Sequence, residues 1–412
     1  MFRFSPSFFV SPRFSAALFP TAPRVSRAFA LRPFALRPFA LLGALAVGGF
    51  ASLLGGCGAP TTTSSSTQSD NAVTNAATST ASPSDAKPIS IGYSDWPGWV
   101  AWDIADQKGF FTKHKANVKL RWFPVYTDSL NALVAGQVDA NSQAWGDTML
   151  PIAQGLPMTA ILVNDNSAGN DAMIAQPGIT SVKQLKGKKV ATELGTVDHF
   201  LMLKALEANG MTEKDIQFVN IKVQDCPAAM LSKRVDAAVV WEPSRTKILK
   251  EVKGSSAIFD SADIPGLIPD LLVMKSDVAK SRPADVQKIV DAWYDAMDWW
   301  RKNPDQAIAI MAKRTGTPVA DYKEFIGGTR IFSAPESLAA MTKSDKVTSL
   351  HSSGKSIAQF LVDVKQADKV ADYASAIEPK FVRASVAKGL GKLPPFDYKT
   401  KVMTLPRRVP VG

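Results

Sequence analysis

Pro88-Ile89-Ser90-Ile91-Gly92-Tyr93-Ser94-Asp95-Trp96-Pro97-Gly98-Trp99 runs from a β-rich segment straight into a loop that Pro97 and Gly98 tighten. The pattern reads Pro88–Tyr93 as a strand whose end presents one carboxylate and two indoles. The same chemistry returns twice. Trp145-Gly146-Asp147 and Trp241-Glu242-Pro243 each follow a strand-like run that begins at a Val-Asp-Ala turn, Val138-Asp139-Ala140 and Val235-Asp236-Ala237. Three strand ends carrying Trp beside an acid describe one pocket, assembled from separate parts of an α/β protein to hold a small solute.

Outward from these loops, short β-rich runs alternate with helical stretches, the signature of α/β architecture. Strands are expected at Val118–Phe123, Val138–Ser142 and Thr159–Val163, with helices over Trp99–Lys108 and Asp128–Ala135. A second unit follows: a strand within Leu185–Ala191, a helix over Asp198–Asn209, the strand Ile216–Asn220, a helix over Cys226–Ser232 and the strand Ala237–Trp241. The chain is expected to cross between units near 174–180 and to return at Leu271–Lys275. Residues 88–175 with 271–380 then form lobe one, 176–270 lobe two, and 381–412 a loosely ordered tail. In the helical last third, Ser281 is read as a cap with Pro283 in the first turn. Val286, Ile289, Val290, Trp293, Met297 and Trp300 recur at core spacing, so Trp293 and Trp300 read as packing. Trp102 and Trp122 read as core, and Asp139 and Asp236 as turn residues.

The net charge of +11 has a local origin. Residues 1–56 hold six arginines and no acid; the rest carries 42 basic against 37 acidic residues, too mild a surplus for a polyanion-binding surface. The basic start, the apolar run Phe39–Leu54 and Leu54-Gly55-Gly56-Cys57 read as an export signal over 1–56. The run is too short and too rich in Gly and Ala for a membrane span. Leu-Gly-Gly-Cys resembles the bacterial lipobox, which implies lipidation at Cys57; a plain signal peptide is the alternative. The Ser/Thr-rich segment 57–87 has little to bury and reads as a flexible tether. Cys226, the cysteine that remains, reads as a small buried residue.

Several residue sets look like one known pattern. Gly109-Phe110-Phe111, Gly136-Gln137-Val138-Asp139, Leu185–Ala191, Val235–Pro243 and Trp299–Ala307 resemble the nitrate/sulfonate/taurine class of ABC-transporter substrate-binding proteins, from about Pro88 to Leu361. Trp-Glu-Pro after a Val-Asp-Ala strand is the most specific of these. The resemblance implies a two-lobe type II periplasmic-binding-protein fold, each lobe a mixed sheet flanked by helices, with a two-strand hinge. It implies no catalysis and no cofactor. It also implies a monomer, held at the outer face of the cytoplasmic membrane by its lipid, that delivers a solute to an ABC permease and its ATPase. The Trp-Pro-Gly-Trp loop after Asp95 looks like the branch linked to urea carboxylase and guanidine.

The chemistry agrees with that branch. Anion-binding relatives use backbone N–H groups and hydroxyls at a helix start, but the equivalent loop, Glu193 to Asp198, carries two acids. Asp95, Trp96, Trp99, Trp145, Asp147, Glu193, Trp241 and Glu242 supply what a small planar cation needs, carboxylates and indole faces. Trp241 and Glu242 serve equally as hinge or packing residues. The rival ligand is an anion such as nitrate, taurine or an alkanesulfonate. An enzyme resembling thiamine-pyrimidine synthase is the other class. His114, His199 and His351 are scattered, however, and no cysteine cluster or nucleophile–base pair accompanies them.

Overall fold

The computed structural model describes residues 87–392. The expected export signal, Cys57, the tether before Lys87 and residues 393–412 lie outside them. Among the described residues, two mixed sheets form, both flanked by helices. The first takes β1 (Ile89–Tyr93), β2 (Val118–Trp122), β3 (Ala140–Ala144) and β4 (Met158–Ser167). The second takes β5 (Ala172–Ala175), β6 (Lys189–Thr192), β7 (Gln217–Asn220), β8 (Ala237–Val240) and β9 (Ser256–Asp260). The chain then returns to the first with β10 (Pro269–Lys275) and β11 (Thr329–Ile331). Strand order is β11-β4-β10-β3-β1-β2 in the first sheet and β7-β6-β8-β5-β9 in the second.

Both sheets repeat one plan. A parallel triplet, β2-β1-β3 or β7-β6-β8, is flanked by an antiparallel strand, β10 or β5. The aspartate of each Val-Asp-Ala turn fastens the triplet. Asp139 accepts from the Ser90 N–H at 2.8 Å, and Asp236 from the Lys189 N–H at 2.9 Å. These bonds reach the adjacent strand, where a local turn bond was expected.

The chain crosses between the sheets at 168–171 and again at 261–268. The first crossing therefore precedes the expected 174–180, because the polar run Asn164–Ser167 continues β4 and Ala172–Ala175 pairs with β8 and β9. Ser261 ties the two crossings together: its hydroxyl lies 2.7 Å from the Ser167 hydroxyl and accepts from the Gly169 N–H at 2.7 Å. Gly169 has φ +121°, a conformation that glycine adopts without strain.

The helix Pro283–Lys302 buries Val286, Ile289, Val290, Trp293, Met297 and Trp300. Trp293 packs against Trp102 with ring centroids 4.4 Å apart, so both indoles serve the core. Trp122 is half-buried against Tyr93. Ser281 ends the helix Ser276–Ser281, while Arg282 stands at the cap position before Pro283. The expected loose tail is also corrected at its start: Lys380–Lys388 is a helix that buries Phe381, Val382 and Ser385. Its Lys388 pairs with Asp291 at 2.5 Å, and Ser385 donates to the same carboxylate at 2.6 Å. Cys226 is buried and free. No helix among the described residues is long and apolar enough to cross a membrane.

Candidate functional site

The carboxyl ends of β1 and β8, the start of β5 and the entry to β10 converge between the sheets. Open α/β sheets bind ligands at such strand ends. Trp96, Trp99, Tyr126, Asp171, Val197, Trp241, Ile268 and Asp270 line a cavity with about 250 Å³ of empty space, its mouth included. Its wall is a chain of aromatic contacts: Trp96 to Trp99 at 6.2 Å, Trp99 to Tyr126 at 4.9 Å, and Tyr126 edge-on to Trp241 at 5.5 Å. Trp99 and Tyr126 belong to the first sheet's side and Trp241 to the second's, so the wall spans both.

Carboxylates stand behind and between these rings. The Trp96 indole donates to Asp165 at 2.8 Å. Gly98 makes that approach possible, since a Cβ there would lie 1.8 Å from an Asp165 carboxyl oxygen. Tyr126 donates to Asp147 at 2.7 Å and accepts from the Ala144 N–H at 3.0 Å. The Trp241 indole donates to Asp95. Asp270 and Asp165 are register partners on neighbouring antiparallel strands. Asp171 and Asp198 face one another on the other side of the cavity. The residual positive charge that reaches Asp171 is Arg245, which is bound to Glu242 at 3.1 Å.

Burial raises these acids. It pushes Asp95 up to about 7, against its own backbone N–H and the Trp241 bond. Asp147 also rises to about 7 through burial, with Tyr126 pulling it down and Asp171 and Glu193 pushing it up. Asp165, Asp171, Asp198 and Asp270 all shift upward, with burial the first cause. A buried carboxyl without a counter-charge favours its neutral form.

Not all the expected site residues meet here. Trp96, Trp99 and Trp241 line the cavity, and Asp95 bonds to its wall. Trp145 does not join them: fully buried, it donates to the Leu350 carbonyl at 3.2 Å and packs beside Gly354. Asp147 sits behind Tyr126. Glu193 accepts from Thr127 across the cleft at 3.0 Å and does not line the cavity. Glu242 turns to its own helix, Ser244–Glu251, accepting from the Thr246 N–H and hydroxyl at 3.0 Å each. It is therefore spent on a helix start and on Arg245. Asp198 lies buried inside the first turn of the helix Val197–Ala208. His199 is held by Glu213 at 2.9 Å and Gln366 at 2.8 Å, so it makes no pair with Asp198.

Sequence reasoning passed over Tyr126, Asp165, Asp171 and Asp270. One of them left a signal, for Asp270 opens the apolar strand run Leu271–Met274; Asp165 stands in the polar run Asn164–Ser167 and left none.

The profile of the NMT1/THI5-like family matches residues 99–307. A Brucella abortus (strain 2308) protein described as a binding protein is 30% identical over 233 residues, 56% of this chain and 72% of its own length. The taurine-binding periplasmic protein of Escherichia coli (strain K12) is 24% identical over 294 residues, 68% of this chain and 88% of its own. In architecture, the crystal structure of the periplasmic aliphatic sulphonate binding protein of Escherichia coli superposes with a TM-score of 0.60 at 22% identity, over 72% of this chain and 99% of that one.

Proposed function

This chain belongs to the NMT1/THI5-like family, and on that premise we propose that it is the extracytoplasmic solute-binding component of an ABC importer. Its two lobes close over a small nitrogen-containing cation of the guanidinium type and hand it to a membrane permease, without turnover. The relatives described as binding proteins, and the fold shared with a periplasmic one, support the carrier role. Lipidation at Cys57, on the strength of Leu54-Gly55-Gly56-Cys57, would hold it at the outer membrane face.

The observation that carries the ligand class is the set of buried aspartates around an aromatic-walled cavity. Asp171 and Asp270 line it at 2% exposure each, with Asp165 and Asp95 directly behind the indoles. A guanidinium offers planar N–H donors to such oxygens and a cation to the indole faces, each such face contributing about 0.5–2 kcal/mol. Ligand contacts from both lobes would shift an open–closed equilibrium toward closure.

The second reading is an anion, because relatives carry the names taurine-binding and sulphonate-binding. It would use the start of the helix Val197–Ala208. A thermal-shift screen of the full chain decides, since a ligand bound only by the folded state raises the melting temperature. Guanidinium, methylguanidinium and agmatine should raise it. A shift with taurine, an alkanesulfonate or nitrate alone would overturn the cation reading and leave the carrier role standing.

A further inference from the structure

The acids of the cavity outnumber the donors that could serve them. Buried carboxyl oxygens of Asp165, Asp171 and Asp270, and both of Asp198, have no hydrogen-bond partner among the described residues. These side chains are at most 2% exposed, and Asp171 and Asp270 line the cavity itself. A charged oxygen cannot stand buried and unpaired; it takes a proton or a cation. Geometry arranges the four as two pairs. Asp165 and Asp270 are register partners on β4 and β10, and Asp171 faces Asp198 from the crossing into β5. One pair thus belongs to each lobe, and both front the same space when the lobes meet.

Resting on the cation reading, we propose that each aspartate pair shares a proton in the ligand-free site and that an arriving cation displaces one of these two protons, so that capture is a one-for-one proton–cation exchange. A cation enters and a proton leaves to solvent, so the net charge of the closed cavity is unchanged and no bare carboxylate pair is ever buried. The surrounding groups leave the pairs in this role. Asp95 is bonded to Trp241, Asp147 to Tyr126, Glu193 to Thr127 and Glu242 to Arg245. Tyr126 and Tyr322 are pushed to higher pKa by burial and by these acids, and so stay neutral. Both pairs shift upward through burial and mutual repulsion, as partners sharing a proton must. Opening the lobes returns the pairs to water, where protons compete for the carboxylates again.

The test is calorimetric titration of the purified full chain with guanidinium chloride, in buffers of different ionisation enthalpy, between about pH 5 and 8. The expected result is release of roughly one proton per guanidinium, with affinity rising up to about tenfold per pH unit. Heats independent of buffer, with a flat affinity, would overturn the exchange while leaving the cation reading intact. Absence of guanidinium binding, or binding of urea alone, would overturn both. Asp270→Asn should cut the proton count; a purely structural Asp270 would lower affinity or stability with the count unchanged. Asp198→Asn, in the other lobe, repeats the measurement independently should the first variant fold poorly.

Discussion

Asp147, held by the Tyr126 hydroxyl at 2.7 Å, shares a pocket with Gly195 and Thr196 at the start of the helix Val197–Ala208. A helix start is a ready anion site, and here the protein sets a carboxyl group of its own beside it. Asp147→Ala should therefore do two things. Guanidinium affinity should fall by about tenfold, the equivalent of 1.4 kcal/mol, and a thermal shift with sulfate or taurine should appear. Calorimetry together with the shift screen checks both; an anion response already present in the unaltered protein would refute the first premise.

Gly98 is the second target. Its missing Cβ is the space Asp165 occupies, at 1.8 Å from where that carbon would sit. Gly98→Ala should displace the carboxylate and loosen its bond to Trp96. Overpacking of this kind costs about 1–3 kcal/mol, readable as a lower denaturation midpoint, and ligand affinity should drop with it.

Trp145 and Trp241 look alike in sequence and separate in structure. Trp145→Ala removes a fully buried core indole and should cost about 3–5 kcal/mol of stability. Trp241→Ala removes a cavity wall and the donor to Asp95. Its main effect should be on ligand affinity, by about 0.5–2 kcal/mol from the lost cation–π contact alone. Paired melting and binding curves for the two variants should show this crossover.

The pH dependence of stability has a definite sign. Asp95 and Asp147 have folded-state values raised to about 7, above the roughly 3.9 of an unfolded aspartate. Between those values the folded chain binds more protons than the unfolded one, so stability falls as pH rises through the window. The ligand-free protein should melt at a higher temperature near pH 5 than near pH 8. A saturating guanidinium concentration should flatten that slope, because the cation then neutralises the site.

Much of this was legible because periodicity and turn chemistry are local. Ile89–Tyr93, the helix stop at Gly136 and the buried stripe from Val286 to Trp300 all follow from spacing. The sheet crossing was not, because Asn164-Asp165-Asn166-Ser167 reads as a loop until its strand partners on β10 and β11 are known. The site divided the same way. Trp96, Trp99 and Trp241, expected from their strand-end loops, line the cavity, whereas Trp145, also beside an acid after a strand, turns toward Leu350 because the helix Leu350–Asp363 packs on its own. Tyr126 and Asp270 reach the cavity wall beside residues far from them in sequence.

The position of β10 between β4 and β3 bears on how the protein is made. When residues 88–167 have left the ribosome, β3 and β4 have no strand between them, and each exposes an unpaired edge. The strand that joins them is more than a lobe away in the chain, whereas β5 to β9 form one continuous segment able to pair as soon as it emerges. Lobe two should thus be the first finished unit, and lobe one must wait for it. A nascent chain stopped short of Pro269 would carry a complete second lobe and an open first one, the state in which a holding chaperone has most to protect.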